Sequence, residues 1–291
     1  MQIESLKVFC DLAETESFTK SAQINKITQF AVSQQISALE RHFKTTLIER
    51  SRKRFRLTIE GQVLYDYSKQ IILSYESLHN KVDEIKNIVS GNIRVATVYS
   101  IGLHELPDHI KRYLKAHPTV NIRVEYRRSN QVYDDVVGNT VDLGLVAYPT
   151  TDARLTVIHL KNDPLVLVCH PRHPLAGVRS MKIKGLAGHK FIAFDPDIPT
   201  RRAIDRTLKE HKVEVKTVME FDNIETVKRA VEIDAGVAIL PHNTILSELE
   251  KKTLAEVIIE DVQLYRPIAA IHKKTKVLSP AAREFITLLK G

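Results

Sequence analysis

Apolar positions in residues 17–43, SFTKSAQINKITQFAVSQQISALERHF, follow two short helical patterns separated by a tight polar break. The first carries Phe18, Ser21, Ala22 and Ile24, and the second carries Val32, Ile36 and Leu39. At about 100° per residue, Ile36 and Leu39 fall close to Val32, while Gln34 and Arg41 fall nearly opposite. The small residues Ser21, Ala22 and Ala31 suit two helices crossing steeply, as in a helix-turn-helix. The outer stripe of Phe30, Gln34, Ser37 and Arg41 then has the side-chain types that read base edges in a DNA major groove. An ordinary amphipathic helix with a solvated face would show the same pattern, so the flanking residues have to decide.

They favour DNA. In RSRKRFR, residues 50–56, five of the seven positions are Arg50, Arg52, Lys53, Arg54 and Arg56, with no acid among them. Placed between a helical pattern and Leu57-Thr58, this run reads as the tip of a β-wing against phosphates or in the minor groove. Beyond Gly61 an uninterrupted helical pattern continues to about Val89, with Leu64, Ile71, Tyr75, Leu78, Val82, Ile85 and Val89 at alternating threes and fours around a weak position at Ser68. A period near 3.5 argues for a coiled-coil seam, hence a dimer.

From Ile93 onward strands and helices alternate, which argues for α/β lobes with mostly parallel sheets. Candidate strands are 93–99, 120–126, 141–147, 164–170, 190–194, 217–221, 237–240 and 267–271. Candidate helices are 103–116, 131–137, 200–211, 224–234 and 281–290. Ligands of such sheets sit at the carboxyl ends of strands, beside helix N-termini. Those places hold Tyr99, Ser100 and Ile101; Arg128, Ser129 and Asn130, after Arg127; Thr200 and Arg201, before Arg202; and Asn223 and Thr226. Ser100, Asn130, Thr200 and Asn223 are also favourable N-caps, a role compatible with ligand contact. The arginines at two such mouths favour a small anionic effector.

The motifs SFTKSA (17–22), TQFAVSQQISALE (28–40), LIER (47–50), LTIEG (57–61) and DAGVAILP (234–241) resemble those of the LysR-type bacterial transcriptional regulators, in order and spacing over essentially the whole chain. The resemblance implies a winged helix-turn-helix at 1–61, a dimerising linker helix at 62–90 and an effector-binding domain at 91–291. That domain has two strand-exchanging α/β lobes, like periplasmic binding proteins: lobe I at 91–162 and 266–291, lobe II at 163–265, with crossings near 160–163 and 264–267. It implies a homotetramer built as a dimer of dimers, double-stranded DNA as partner and RNA polymerase downstream. The DNA-contacting residues would be Thr28, Gln29, Phe30, Ser33, Gln34, Ser37, Arg41, Arg50, Arg52, Lys53 and Arg54. The chain departs from the family pattern at Phe30 (usually Pro), Gln34 (usually Arg), Lys44 (usually Gly) and Ile48 (usually Phe). Phe30 has two open roles, contact with a thymine methyl or packing on the preceding helix.

Composition adds bounds. The chain has 291 residues, 43% of them apolar, and a net charge of +8, which is compatible with a nucleic-acid partner. The charge is not concentrated at the amino end: residues 1–90 hold 13 Lys and Arg against 11 Asp and Glu, the rest 30 against 24. Cys10 and Cys169 lie in apolar settings and read as buried thiols, with a redox-sensing pair as the alternative. His170-Pro171-Arg172-His173-Pro174 lacks a third ligand at useful spacing and reads as a loop, so no metal is expected. In DAGVAILP, Gly236 is expected to make a tight turn. The N-terminus lacks the basic start of a signal peptide, and no apolar stretch approaches membrane-spanning length, so a cytoplasmic protein without a membrane partner is expected. No nucleophile–base pair, metal cluster or Gly-rich phosphate loop supports an enzyme or a cofactor. A small-molecule binding protein without a regulatory role is the alternative, but it leaves residues 1–90 unexplained.

Overall fold

The computed structural model describes residues 2–51, 54–86 and 88–291, with backbone alone for Arg50, Ser51 and Arg54. The chain divides into two compact units, Met1–Lys86 and Asn87–Gly291.

The first unit runs α1 (Ile3–Thr15), α2 (Phe18–Asn25), α3 (Gln29–Phe43), β1 (Ile48–Ser51), β2 (Arg54–Leu57) and α4 (Ile59–Ile85). Hydroxyl N-caps start three of the helices: Ser17 accepts from the Lys20 N–H, Thr28 from Ala31 and Thr58 from Gly61. Helices α1, α2 and α3 end on left-handed residues, Glu16, Lys26 and Lys44. Ser21 is buried and donates to the Val8 carbonyl of α1, at 3.2 Å. The core gathers Leu6, Phe9, Leu12, Val32, Ile36, Leu39, Leu47 and Ile48. Strands β1 and β2 form an antiparallel hairpin closed by the Ser51–Arg54 pair.

Helix α4 begins at Ile59, inside the LTIEG motif. Its first turns face their own domain, with Leu64, Tyr65 and Ile72 packed on that core and Ser68 fully buried. The weak position at Ser68 is therefore a point of close approach, not a gap in a seam. The exposed apolar stripe comprises Tyr67, Ile71, Tyr75, Leu78, Val82 and Ile85.

The second unit runs β3 (Gly91–Thr97), α5 (Tyr99–His104), α6 (Leu106–Ala116), β4 (Val120–Tyr126), α7 (Ser129–Val137), β5 (Leu143–Ala147), β6 (Leu155–Cys169), β7 (Ser180–Met181), β8 (Lys190–Phe194), α8 (Pro199–Glu210), β9 (Lys216–Phe221), α9 (Ile224–Glu232), β10 (Ala238–Pro241), α10 (Leu246–Glu250), β11 (Ala255–Ile259), β12 (Tyr265–Lys273) and α11 (Pro280–Lys290). The main sheet has the order β4-β3-β5-β12-β6-β11-β7, with β10 also on β6, and β8 pairs with β9. Pairing is parallel within β4-β3-β5 and β8-β9 but antiparallel wherever β6 or β12 takes part. The sheet is thus mixed, where strand–helix alternation alone suggested mostly parallel pairing.

Strand β6 changes partners along its length. Its first part, to Pro164, pairs with β12, and Leu165 onward pairs with β10 and β11. Separate cores lie on either side: Ile93, Val95, Leu143, Leu145 and Phe285 in one lobe, Leu167, Phe191, Ile204, Val237 and Val257 in the other. Tyr99 belongs to α5, not to the preceding strand. The single helix expected over 103–116 is interrupted at Glu105, ahead of Pro107, whose ring nitrogen has no N–H to continue the ladder. In DAGVAILP the left-handed residue is Asp234. Gly236 is needed for closeness instead, because a Cβ there would lie 2.6 Å from the Lys190 carbonyl oxygen.

Candidate functional site

In the first unit, one stripe of α3 faces solvent. An open groove of about 770 Å³ runs along it, lined by Phe30, Ser33, Gln34, Gln35, Ser37 and Arg41 with Ser5 of α1 at its edge. Thr28 and Gln29 are exposed at its head, and Phe30 is 71% exposed, so it does not pack on the preceding helix. Arg41 lies along its own helix, its Nε 3.3 Å from the Ser37 carbonyl oxygen. Arg52, Lys53 and the side chains of Arg50 and Arg54 lie outside the described residues.

In the second unit the cleft between the lobes is bridged by polar contacts. Arg128, the residue before α7, faces three carboxylates of the opposite lobe: Asp222 at 3.3 Å, Asp197 at 3.4 Å and Asp195 at 3.9 Å. His104 at the end of α5 meets Glu225 of α9 at 2.8 Å. Glu105 accepts from Asn243 at 3.0 Å and pairs with Lys161. Glu225 also meets the buried Lys228, which continues to Glu248. Burial pushes the Glu225 carboxyl up, but the bonds from His104 and Lys228 outweigh it and hold the group below its usual range.

At the floor, β6 and β12 carry a buried pair. Arg266 Nη2 lies 2.7 Å from Asp163 Oδ2, and Arg266 Nη1 donates to Ser100 Oγ at 2.7 Å. Burial raises the Asp163 carboxyl, only partly offset by Arg266. Sequence reasoning missed this pair; its signal was one arginine inside the otherwise apolar YRPIAAI.

The other sequence candidates sort as follows. Ser100, Ser129 and Asn130 sit in the first turns of α5 and α7, where Val98 and Arg128 occupy the cap positions. Tyr99 is half exposed and stacks on Tyr126, ring centres 5.1 Å apart. Asn223 does cap α9, accepting from the Thr226 N–H at 3.1 Å. Three candidates are buried or engaged within the protein. Ile101 is buried in its lobe's core, Thr200 is buried inside the first turn of α8, which Ile198 caps, and Arg201 is held by the Phe194 carbonyl, Asp205 and Glu220. Arg127 is likewise committed, to Glu125 and Asp135. Arg127, Arg128 and Arg201, three of the cations that pointed to an anion, therefore already face carboxylates.

Burial pushes the Cys10 thiol up to about 12 and the Cys169 thiol up to about 11. Neither is a reactive thiolate near neutral pH. His170 and His173 accept from the backbone N–H groups of Arg172 and Leu175 and so close the loop they sit in. No helix among the described residues is long and apolar enough to cross a membrane.

Comparison with known proteins agrees with this architecture. Residues 3–62 match the family described as bacterial regulatory helix-turn-helix protein, lysR family, and residues 86–291 match the LysR substrate binding domain. The transcriptional regulator CysL of Bacillus subtilis is 27% identical over 291 residues, covering 100% of this chain and 97% of that protein. A full-length OxyR variant of Pseudomonas aeruginosa superposes with a TM-score of 0.76 at 18% identity, covering 100% and 93% of the two chains. The regulatory domain of Synechocystis PCC6803 CcmR, solved in complex with 2-PG, gives 0.63 at 23% identity over 69% of this chain and 96% of that one. With both halves matched in this order, the chain belongs to the LysR-type transcriptional regulators.

Proposed function

We propose that this regulator exchanges an internal salt bridge for its effector. The observation that carries this reading is Arg128, reaching across the cleft to Asp195, Asp197 and Asp222. A small anion bound between the lobes would take Arg128 from those carboxylates. Ser100, Ser129 and Asn130 would lie on one side of it, Asn223 and Thr226 on the other. Charge-assisted bonds to guanidinium are strong enough to compete with an exposed ion pair. That a structural neighbour's regulatory domain has been solved with 2-PG supports a small ligand in the second unit. Only an effector that binds two lobe arrangements with different affinity can shift their populations, and DNA affinity would change with them.

DNA would be read by the α3 stripe from Thr28 to Arg41, with Arg50, Arg52, Lys53 and Arg54 on phosphates. The exposed α4 stripe would seat a second copy, whose paired α3 would read two half-sites. Assembly of such dimers into a tetramer, contact with RNA polymerase, a cytoplasmic location and the division at residues 61, 90, 162 and 265 complete the proposal.

Fluorescence anisotropy on DNA from upstream of the protein's own gene, titrated with salt against a scrambled duplex, tests it. Tight binding that prefers the upstream DNA and weakens steeply with salt is expected. No binding to either duplex at low salt would favour a binding protein without a regulatory role.

A further inference from the structure

The base-reading stripe of α3 is short of cations where it would enter the groove. Base edges are contacted mainly by the amino-terminal residues of a recognition helix. Here the first two turns offer Phe30, Ser33 and Gln34, with Ser37 next, and the one cation of the stripe, Arg41, lies at the far end along its own helix. Arginine and lysine pair with guanine, glutamine pairs with the N6 and N7 of adenine, and apolar groups meet the thymine methyl. The side chain of Gln34 is exposed and makes no hydrogen bond within the protein among the described residues, so both its carbonyl oxygen and its NH2 group are available. Phe30 leaves an aromatic ring 71% exposed next to it, and covering that ring regains apolar burial that the free protein forgoes.

We infer that α3 selects A·T pairs in its half-site, with Gln34 on an adenine and Phe30 against a thymine methyl. The inference rests on α3 being the DNA-reading helix. Residues 30 and 34 are one helical turn apart, about 6 Å of rise, which matches roughly two base steps of about 3.4 Å. The adenine and the thymine therefore lie within about two base pairs of each other.

The test is selection of bound sequences from a randomised duplex pool by the full-length protein, followed by single-atom changes in the selected site. Replacing one thymine by uracil removes only the methyl, and replacing one adenine by 7-deazaadenine removes only N7. Each is expected to weaken wild-type binding by roughly five- to twentyfold at one position. Phe30→Ala should be indifferent to the uracil, Gln34→Ala should be indifferent to the 7-deazaadenine, and Gln34→Arg should select guanine in place of that adenine. Guanine or cytosine enriched at both positions would overturn the inference. So would a uracil penalty as large in Phe30→Ala as in the wild type. If the wild type enriches no sequence at all, the fault lies with the DNA-reading assignment of α3 instead. Both side chains are exposed, so circular dichroism should show the variants folded.

Discussion

Arg266 and Asp163 oppose each other in the ladder between β12 and β6, and their side chains meet at 2.7 Å where both are buried. Arg266 Nε and Asp163 Oδ1 have no hydrogen-bond partner there, so the pair is only partly satisfied. Removing one partner strands the other charge in a dry site, which costs about 3–5 kcal/mol. Arg266→Met is expected to lower the melting temperature of the full-length protein by several degrees. Arg266→Met with Asp163→Leu should recover at least half of that, since an apolar pair needs no desolvation. A calorimetric scan showing Arg266→Met as stable as the wild type would refute a structural role for the pair.

Arg128 presents the opposite case. Its guanidinium and two of its three partners are more than half exposed, so the bridge contributes no more than about 0.5 kcal/mol to global stability. Its effect should be local. Arg128→Gln is expected to leave the melting temperature within about a degree while raising amide exchange at the start of α7 and around Asp195–Asp197. Unchanged exchange in both segments would mean that the lobes are held by other contacts.

Asp142 supplies a pH signature. Burial pushes its carboxyl up, but Lys276 and Arg94 outweigh that and hold it below the ordinary value. A depressed acid contributes stability above its unfolded value, lost as pH falls through the folded one. Asp142→Asn is therefore expected to cost about 2 kcal/mol near neutral pH, with the difference from wild type shrinking below about pH 4. Paired melting curves at pH 7 and pH 3 measure it; an equal gap at both would show that charge is not the cause.

Lys44 ends α3 at φ +53, in the left-handed region. A side chain there costs about 1–2 kcal/mol, and glycine returns part of this as greater freedom in the unfolded chain. Lys44→Gly should gain about 0.5–1 kcal/mol. Gly61→Ala should do the reverse, because its Cβ would stand 2.1 Å from the Leu47 carbonyl oxygen. Thermal melts of the two variants should move in opposite directions.

These residues also mark what was legible in the chain. The Val32–Ile36–Leu39 face and the strands at 120–126 and 190–194 are set by local periodicity and could be read directly, whereas of the four caps expected at cleft helices only Asn223 fills that role. Strands β7 and β11 and helix α10 escaped notice, β7 because two residues carry no pattern. The cleft was half visible. Its strand ends were placed from alternation, but the partners of Arg128 come from segments far away in the chain, and no spacing rule reveals them; Arg201 and Asp205, four apart on one helix, were a pair that spacing could have shown. Ile101 and Thr200 looked available because burial is a property of packing, not of sequence position.

Tyr265 pairs with Pro164, and Arg266 with Asp163, on neighbouring rungs of one ladder. The hundred or so residues between Pro164 and Tyr265 thus leave and rejoin the ladder between β6 and β12 at almost the same point. Such an excursion can be exchanged as a cassette: two cuts in one rung would graft another regulator's lobe onto this one. The ladder, rather than a flexible hinge peptide, would fix the angle at which the new lobe stands.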